Sequence, residues 1–449
     1  MMEVLIIGAG SVGYTLARTL SKHHSVMMVE QDEKRYERIV ENLDIAAVNA
    51  NGGNPRVLRD LIDEETSLFL AVTESDEFNM FACLVAKQVK PEIITVARVR
   101  NPDYLGGVLR SSAMGVDKTF SPERLTAAKI ARIARVENLI DYESIPVLGL
   151  ELGVFRISAQ QDASRFRPLR YLEMPPGSAM AVVHRNGQVL MPGDTEHLLV
   201  GDTVTIIGRP GALEAFNAML GKVRECKDFV IVGGGILAEH LIGELVDRKC
   251  VVKLIDRDEK DCLRLSRRLP GTVIINDSGT DPSVLRNENV NMADALISTA
   301  DSEEENLLSC LIGKHLGVPK TITKYSRREY ERVFNMSGVD AAIGYYHVVA
   351  NEIVKQTAKG LEVMLLMEGF QEFLLGVTVT DRCRLKGTLV CDIDLPGRSG
   401  LVMVVKDGGP VVPTPEMSLE EGDVVLIYAV RQDIPRLERM FNTNIPQGP

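Results

Sequence analysis

Val4-Leu5-Ile6-Ile7-Gly8-Ala9-Gly10-Ser11-Val12-Gly13 stands near the start of the chain, and Phe229-Val230-Ile231-Val232-Gly233-Gly234-Gly235-Ile236-Leu237-Ala238 repeats it half-way along. In each, a strand-length apolar run meets a glycine-rich turn and a helical pattern follows. A lone G-x-G-x-x-G is weak evidence, because glycine also serves ordinary turns. Here both copies have the strand before, the helix after and an acid at the expected distance. Gly8 permits the tight turn, Gly10 lets the backbone approach a pyrophosphate, and Gly13 packs helix on strand. The helix N-terminus offers free N–H groups and a positive dipole end to phosphate. In the second copy Ala238 takes the place of the third glycine.

Working outward, the similarity continues at a constant offset of 225 or 226 residues. Val26–Glu30 returns as Val251–Asp256, Ser67–Thr73 as Asp294–Thr299, and Val96-Ala97-Arg98 as Ile322-Thr323-Lys324. Agreement at four places in order marks a duplication. Short β-branched strands alternate with amphipathic helical stretches, which predicts an α/β fold with two Rossmann-like, doubly wound parallel sheets. After each comes a β-rich texture of short strands and Gly/Pro turns, Ser144 to Arg209 and Gly369 to Val430. Both end on a Gly-Asp turn, Gly201-Asp202 and Gly422-Asp423, entering an apolar strand, then a helical tail. The expected domains are 1–141 and 226–360 of Rossmann type, with small β-rich α+β domains at 142–222 and 361–445. A polar stretch, Lys222–Lys227, links the halves.

Glu30 and Asp256 end their second strands, where a carboxylate can accept from ribose hydroxyls and repels a 2′-phosphate. That argues against an NADP-type cofactor but does not separate NAD from ATP or ADP. Thr73-Glu74-Ser75-Asp76-Glu77 and Thr299-Ala300-Asp301-Ser302-Glu303 follow the fourth strands, at the carboxyl ends where such folds bind ligands. A helix N-cap with an acidic first turn explains them equally well. Arg98 and Arg100 alternate along Ile93–Arg100 and are expected on one face, suited to bidentate phosphate binding; a solvated edge pair is the alternative. The second copy has Lys324 and Ser326 there, and one extra residue between Thr299 and Asn306, so weaker or different phosphate recognition is expected.

Composition narrows the function. The chain has 449 residues and a net charge of −11, which disfavours nucleic acid and anionic lipid as partners. No apolar run approaches the ~20 residues of a membrane helix. The start, Met2-Glu3-Val4-Leu5-Ile6-Ile7, lacks a basic n-region, so a cytoplasmic location is expected. Seven scattered cysteines form no C-x-x-C, and the histidines have no ligand spacing, so neither disulfides nor a metal is expected. Cys83 and Cys310 fall in apolar helical patterns as small buried hydrophobes. No tyrosine has a lysine four positions on, no phosphate loop of the G-x-x-x-x-G-K-[ST] type occurs, and spacing nominates no acid–base pair. The expectation is a binding protein, not an enzyme; an NAD-dependent oxidoreductase is the alternative.

The order Gly8-Ala9-Gly10-Ser11-Val12-Gly13, Glu30, Thr73-Glu74-Ser75-Asp76-Glu77-Phe78-Asn79-Met80 and Ala97-Arg98-Val99-Arg100-Asn101-Pro102-Asp103-Tyr104 resembles the TrkA family of Trk-type potassium-uptake regulators. The resemblance covers essentially the whole chain as RCK-N, RCK-C, RCK-N, RCK-C (regulator of K⁺ conductance), and the last two motifs are more specific than the glycines. It implies a subunit peripheral to the inner face of the cell membrane, assembled as a ring, a homotetramer, under a separate potassium-translocating membrane subunit. NAD(H), and ATP or ADP, would bind the N-type domains and bias the ring. By this resemblance Gly8, Ala9, Gly10, Ser11, Val12, Glu30, Thr73, Glu74 and Arg98 line a first site, with Arg100 reaching phosphate. Gly233, Gly234, Gly235, Ile236, Leu237, Asp256, Thr299 and Ala300, with Lys324 at the Arg98 position, make the second.

Overall fold

The computed structural model describes residues 3–21, 24–101, 104, 114–158, 168–221, 225–357, 364–366 and 372–441. The first repeat runs β1 (Glu3–Ile7), α1 (Ser11–Leu20), β2 (Ser25–Glu30), α2 (Glu33–Asn42), β3 (Ala46–Asn49) and α3 (Pro55–Leu61). It continues with β4 (Thr66–Ala71), α4 (Asp76–Val89), β5 (Ile94–Arg98), β6 (Lys118–Phe120) and α5 (Pro122–Arg135). The six strands form one parallel sheet in the order β3-β2-β1-β4-β5-β6. The strand order reverses between β1 and β4, and that switch point opens the crevice in which such sheets bind ligands.

A smaller antiparallel sheet follows, from β7 (Leu139–Ile145), β8 (Leu150–Arg156), β9 (Ser178–Arg185), β10 (Gln188–Leu190) and β11 (Thr203–Gly208), then α6 (Ala212–Met219). It opens at Leu139, ahead of Ser144 where the β-rich texture begins, because the Leu139–Ile145 strand alternates buried and half-buried residues over its whole length.

The second parallel sheet is built from β12 (Asp228–Val232), α7 (Ile236–Val246), β13 (Val251–Asp256), α8 (Glu259–Arg268), β14 (Val273–Asn276) and α9 (Pro282–Asn287). Then come β15 (Ala295–Ser298), α10 (Glu303–His315), β16 (Thr321–Tyr325), α11 (Glu331–Ser337), β17 (Ala341–Gly344) and α12 (Tyr345–Thr357). Its order, β14-β13-β12-β15-β16-β17, reproduces the first sheet. The last sheet holds β18 (Met364–Leu366), β19 (Glu372–Thr378), β20 (Gly400–Lys406), β21 (Gly409–Val411) and β22 (Val424–Val430), with α13 (Ile434–Phe441) after it. Read from its far end, β21-β20-β22-β19-β18 matches β10-β9-β11-β8-β7 strand for strand. Both levels of the fold are duplicated.

The chain divides into two compact units, one of residues 1–126 with 345–356, the other of 127–344 with 357–446. In the first, β1 and β4 are apolar on both faces, as a parallel sheet covered by helices on each side requires. Leu5, Ile7 and Phe69 pack with Leu58, Met80 and Cys83 on one face. Val4, Ile6, Leu68 and Leu70 pack with Val12 and Leu16 on the other, where Val349 and Ile353 of α12 complete the cluster. A helix from the end of the second repeat therefore covers the first sheet. In the second unit, Leu152, Val154, Val182 and Ile207 share one core with Leu374, Met403, Leu426 and Tyr428, so the two small sheets pack together. Among the described residues no helix is long and apolar enough to cross a membrane.

Candidate functional site

Helix N-termini leave N–H groups without intrahelical partners, and side-chain caps normally satisfy them. Asp32, Asn54 and Ser75 cap α2, α3 and α4 in this way. At α1 the N-cap is Gly10, which has no side-chain cap, and the first turn carries no acid. The donors and the positive dipole end are left for a ligand anion. Gly8 enters the turn at φ +98°, a conformation costly for other residues, and a Cβ there would press on Thr73. A Cβ on Gly13 would run into the Gly8 carbonyl oxygen, so only glycine lets α1 sit this close to β1.

Beneath that turn lies a cleft of about 360 Å³, within the size range of small-molecule sites. Of the residues expected at the first site, Gly8, Gly10, Ser11, Glu30, Thr73, Glu74 and Arg98 line it. Glu30 is buried; its Oε2 accepts from the Ala9 N–H at 2.5 Å and its Oε1 from Asp32 N–H at 2.9 Å. Each carboxylate oxygen has a second lone pair, so the group can hold the loop and still receive ribose hydroxyls. Ala9 is thus a partner of Glu30, and Val12 belongs to the core rather than the cleft.

The rim on the β4 and β5 side is held by a residue that only the resemblance touched. Asn79 is fully buried; its Oδ1 accepts from Thr73 N–H at 2.8 Å, and its Nδ2 donates to the carbonyls of Thr73 (3.1 Å) and Arg98 (2.9 Å). Ser75 caps α4 by accepting from Phe78 N–H at 3.1 Å, so the Thr73–Glu77 stretch is both N-cap and cleft rim. Arg35 of α2 also faces the cleft and lies 3.5 Å from Glu74 across it. An isolated arginine in a solvated helix carried no sequence signal.

Arg98 and Arg100 part company. β5 ends at Arg98, because Asp76 Oδ2 accepts from the backbone N–H groups of Arg100 (2.8 Å) and Asn101 (2.7 Å) and draws the chain off the sheet. The expectation of one strand face for both is corrected. The Arg100 guanidinium donates to the Glu74 carbonyl and lies 3.6 Å from Asp76. Arg98 is buried beside the cleft and donates from Nη2 to Glu123 Oε1 at 2.7 Å, while its Nε has no partner among the described residues. Burial works against both charges of this pair, yet their mutual attraction outweighs it: Arg98 is held above its usual range and Glu123 below the carboxylate range.

The second copy keeps the frame and changes the chemistry. Asp256 binds Gly234 N–H and Asp258 N–H as Glu30 does in the first copy, and Gly235 leaves α7 uncapped. Asn306 donates to the carbonyls of Ala300 (3.0 Å) and Lys324 (3.3 Å), repeating Asn79. However, Glu239 stands in the first turn of α7, and Asp261 occupies the α8 position that Arg35 holds in α2. Arg264 donates to the Gly234 carbonyl at 2.9 Å and pairs with Glu239 and Asp261 at 2.5 and 2.8 Å, closing over the glycine turn. Thr299 Oγ1 donates to the carbonyls of Gly233 at 3.0 Å and Val232 at 3.1 Å. Lys324 lies 4.0 Å from Asp301. Leu237 is buried and Ile236 exposed. Arg257 is 72% exposed, a solvated surface side chain.

The duplicated parallel sheets with uncapped glycine turns, each followed by the same antiparallel sheet, define a class of proteins with tandem dinucleotide-fold and small β domains. Family models sharpen this. One described as the TrkA-N domain matches residues 4–122 and again 229–344, and one described as the TrkA-C domain matches 374–442. The chain belongs to the TrkA family. It is 30% identical to the Trk system potassium uptake protein TrkA homolog of Archaeoglobus fulgidus, over 98% of this chain and 100% of that protein. It is 27% identical to the Trk system potassium uptake protein TrkA of Halomonas elongata, over 99% of each. Among solved structures, the GsuK channel bound to NAD shares the fold with a TM-score of 0.63 at 18% identity, over 98% of this chain and 79% of that one.

Proposed function

We propose that the chain is a nucleotide-sensing regulatory subunit of a Trk-type potassium uptake system, acting on a separate membrane subunit that translocates the ion. The observation that carries the sensing part is the first cleft, where the uncapped N-terminus of α1 lies between a ribose-facing carboxylate, Glu30, and the cations Arg35 and Arg98. NAD(H), ADP or ATP fits that polarity: ribose at Glu30, phosphate at Gly10 and Ser11, and the distal group toward Arg98. The potassium role is supported by the names of the relatives, and nucleotide binding by the NAD-bound and ADP-bound states of GsuK. Assembly as a homotetrameric ring on the cytoplasmic face of the membrane follows the same family reading. Among the described residues the cleft lining holds no His, Cys, Lys or Tyr, and both Glu30 oxygens bind backbone amides, which favours sensing over the oxidoreductase alternative.

A ligand that regulates must bind two conformations with different affinity. Calorimetric titration of the full chain with NAD⁺, NADH, ADP and ATP tests the reading, and co-purification with the membrane subunit tests the partner. Saturable binding without turnover of NADH supports it; NADH oxidation with a small-molecule substrate overturns it.

A further inference from the structure

Arg98 is a cleft cation whose ion-pair partner lies outside the cleft lining. Glu123, the second residue of α5, takes its Nη2 at 2.7 Å and accepts from Ser121 Oγ through Oε2 at 3.3 Å. The hydroxyl of Tyr345 donates to the same carboxylate, and Tyr345 is the first residue of α12, from the end of the second repeat. Arg98 and Glu123 are each about nine-tenths buried, at 10% and 12% exposure, so water screens the pair little.

We propose that Glu123 and Tyr345 form a charge gate at the distal end of the first cleft, sharing Arg98 with the ligand and setting how much phosphate charge the site accepts. This rests on reading that cleft as a nucleotide site. Glu30 and the Gly10 turn mark the nucleoside and first-phosphate end, which leaves Arg98, at the end of β5, for whatever lies beyond. A ligand phosphate that reaches Arg98 meets an anion already on the same guanidinium. At a separation of about 5 Å and an effective dielectric near 20, that repulsion corresponds to on the order of a hundredfold in affinity, with about tenfold as a floor once solvent and side chains relax. A ligand ending in a nicotinamide nucleoside avoids it; a triphosphate does not. Because Glu123 opens α5 and Tyr345 opens α12, a ligand that captures Arg98 also acts on the first turns of both helices. Glu123 and Tyr345 are positioning residues, acting through Arg98.

The test is calorimetric titration of the full-length protein, without divalent cations, with NAD⁺ and ATP. Glu123→Gln keeps an oxygen for Arg98 and removes the charge; it is expected to tighten ATP about tenfold and NAD⁺ less than about twofold. Tyr345→Phe leaves the carboxylate charge undispersed and weakens ATP about two- to threefold. In an Arg98→Gln background the Glu123→Gln gain disappears, which a merely structural role would not produce. Melting curves establish that each variant is folded, and Tyr345→Phe carries the test should Glu123→Gln fail to fold. ATP affinity unchanged or weakened by Glu123→Gln, or a gain that persists without Arg98, overturns the gate while leaving the nucleotide site standing. A wild-type chain that binds neither nucleotide overturns both.

Discussion

On the proposed reading, single residues decide whether the first cleft holds a nucleotide. Gly10 leaves the α1 donors free and Glu30 anchors the turn through Ala9. Gly10→Asp places an anion against those donors, and Glu30→Ala removes the ribose partner; each is expected to abolish the nucleotide-induced rise in melting temperature of the full chain. An unchanged shift in either would remove the residue from the site. Gly13→Ala is expected to cost about 1–3 kcal/mol by overpacking against the Gly8 carbonyl, read as a lower denaturant midpoint. The reverse change, Ala238→Gly, should lower stability by about 1 kcal/mol, because Ala238 is a buried residue inside α7 and glycine is the poorer helix former.

At the scale of elements, two polar side chains tie the ends of strands and helices together. Asn79 joins the ends of β4 and β5, so Asn79→Leu leaves buried backbone groups unsatisfied at a cost of about 1–3 kcal/mol. It should weaken nucleotide binding along with stability. Lys320, just before β16, is buried and donates to the carbonyls of Ile133 (2.6 Å), Val136 (2.9 Å) and Leu139 (2.6 Å), binding the end of α5 and the start of β7. Burial pushes its ammonium down to about 7. The unfolded chain, with an ordinary lysine near ~10.4, binds the extra proton between these values, so this group adds stability as pH rises through that window. The stability difference between wild type and Lys320→Met should therefore move in favour of wild type from about pH 7 to pH 9. A difference independent of pH would show that the lysine does not titrate there.

For the whole molecule, the two repeats share a frame but not a chemistry. On the proposed reading, Asp261 in place of Arg35, Glu239 at the start of α7 and Arg264 over the Gly234 carbonyl disfavour phosphate at the second turn. Titration is expected to give one tight nucleotide per chain; two equivalent sites would contradict this. The halves are also interlocked. Val349 and Ile353 of α12 complete the core over β1 and β4, each contributing about 1.5–3 kcal/mol when buried. A fragment of residues 1–222 lacks them and should aggregate or self-associate in size-exclusion chromatography, whereas a monodisperse, cooperatively melting fragment would show that α12 is dispensable.

The duplication, the two parallel sheets, the small β domains and the acids at Glu30 and Asp256 were legible in the sequence. Each rests on local periodicity or on glycine and carboxylate at fixed spacing, and those are properties of neighbouring residues. Tertiary structure alone decided which side chains meet across the fold. Arg98 met Glu123 and Tyr345 instead of acting beside Arg100, because Asp76 draws the chain off the sheet at the end of β5. Asn79 was touched only through the family resemblance, and Arg35 and Lys320 gave no signal, since a polar residue in a helix or before a strand looks solvated until its partners are known. Above all, no periodicity could say that α12 would cover the sheet of the first repeat. That choice is made by which apolar face is left uncovered once both sheets have formed.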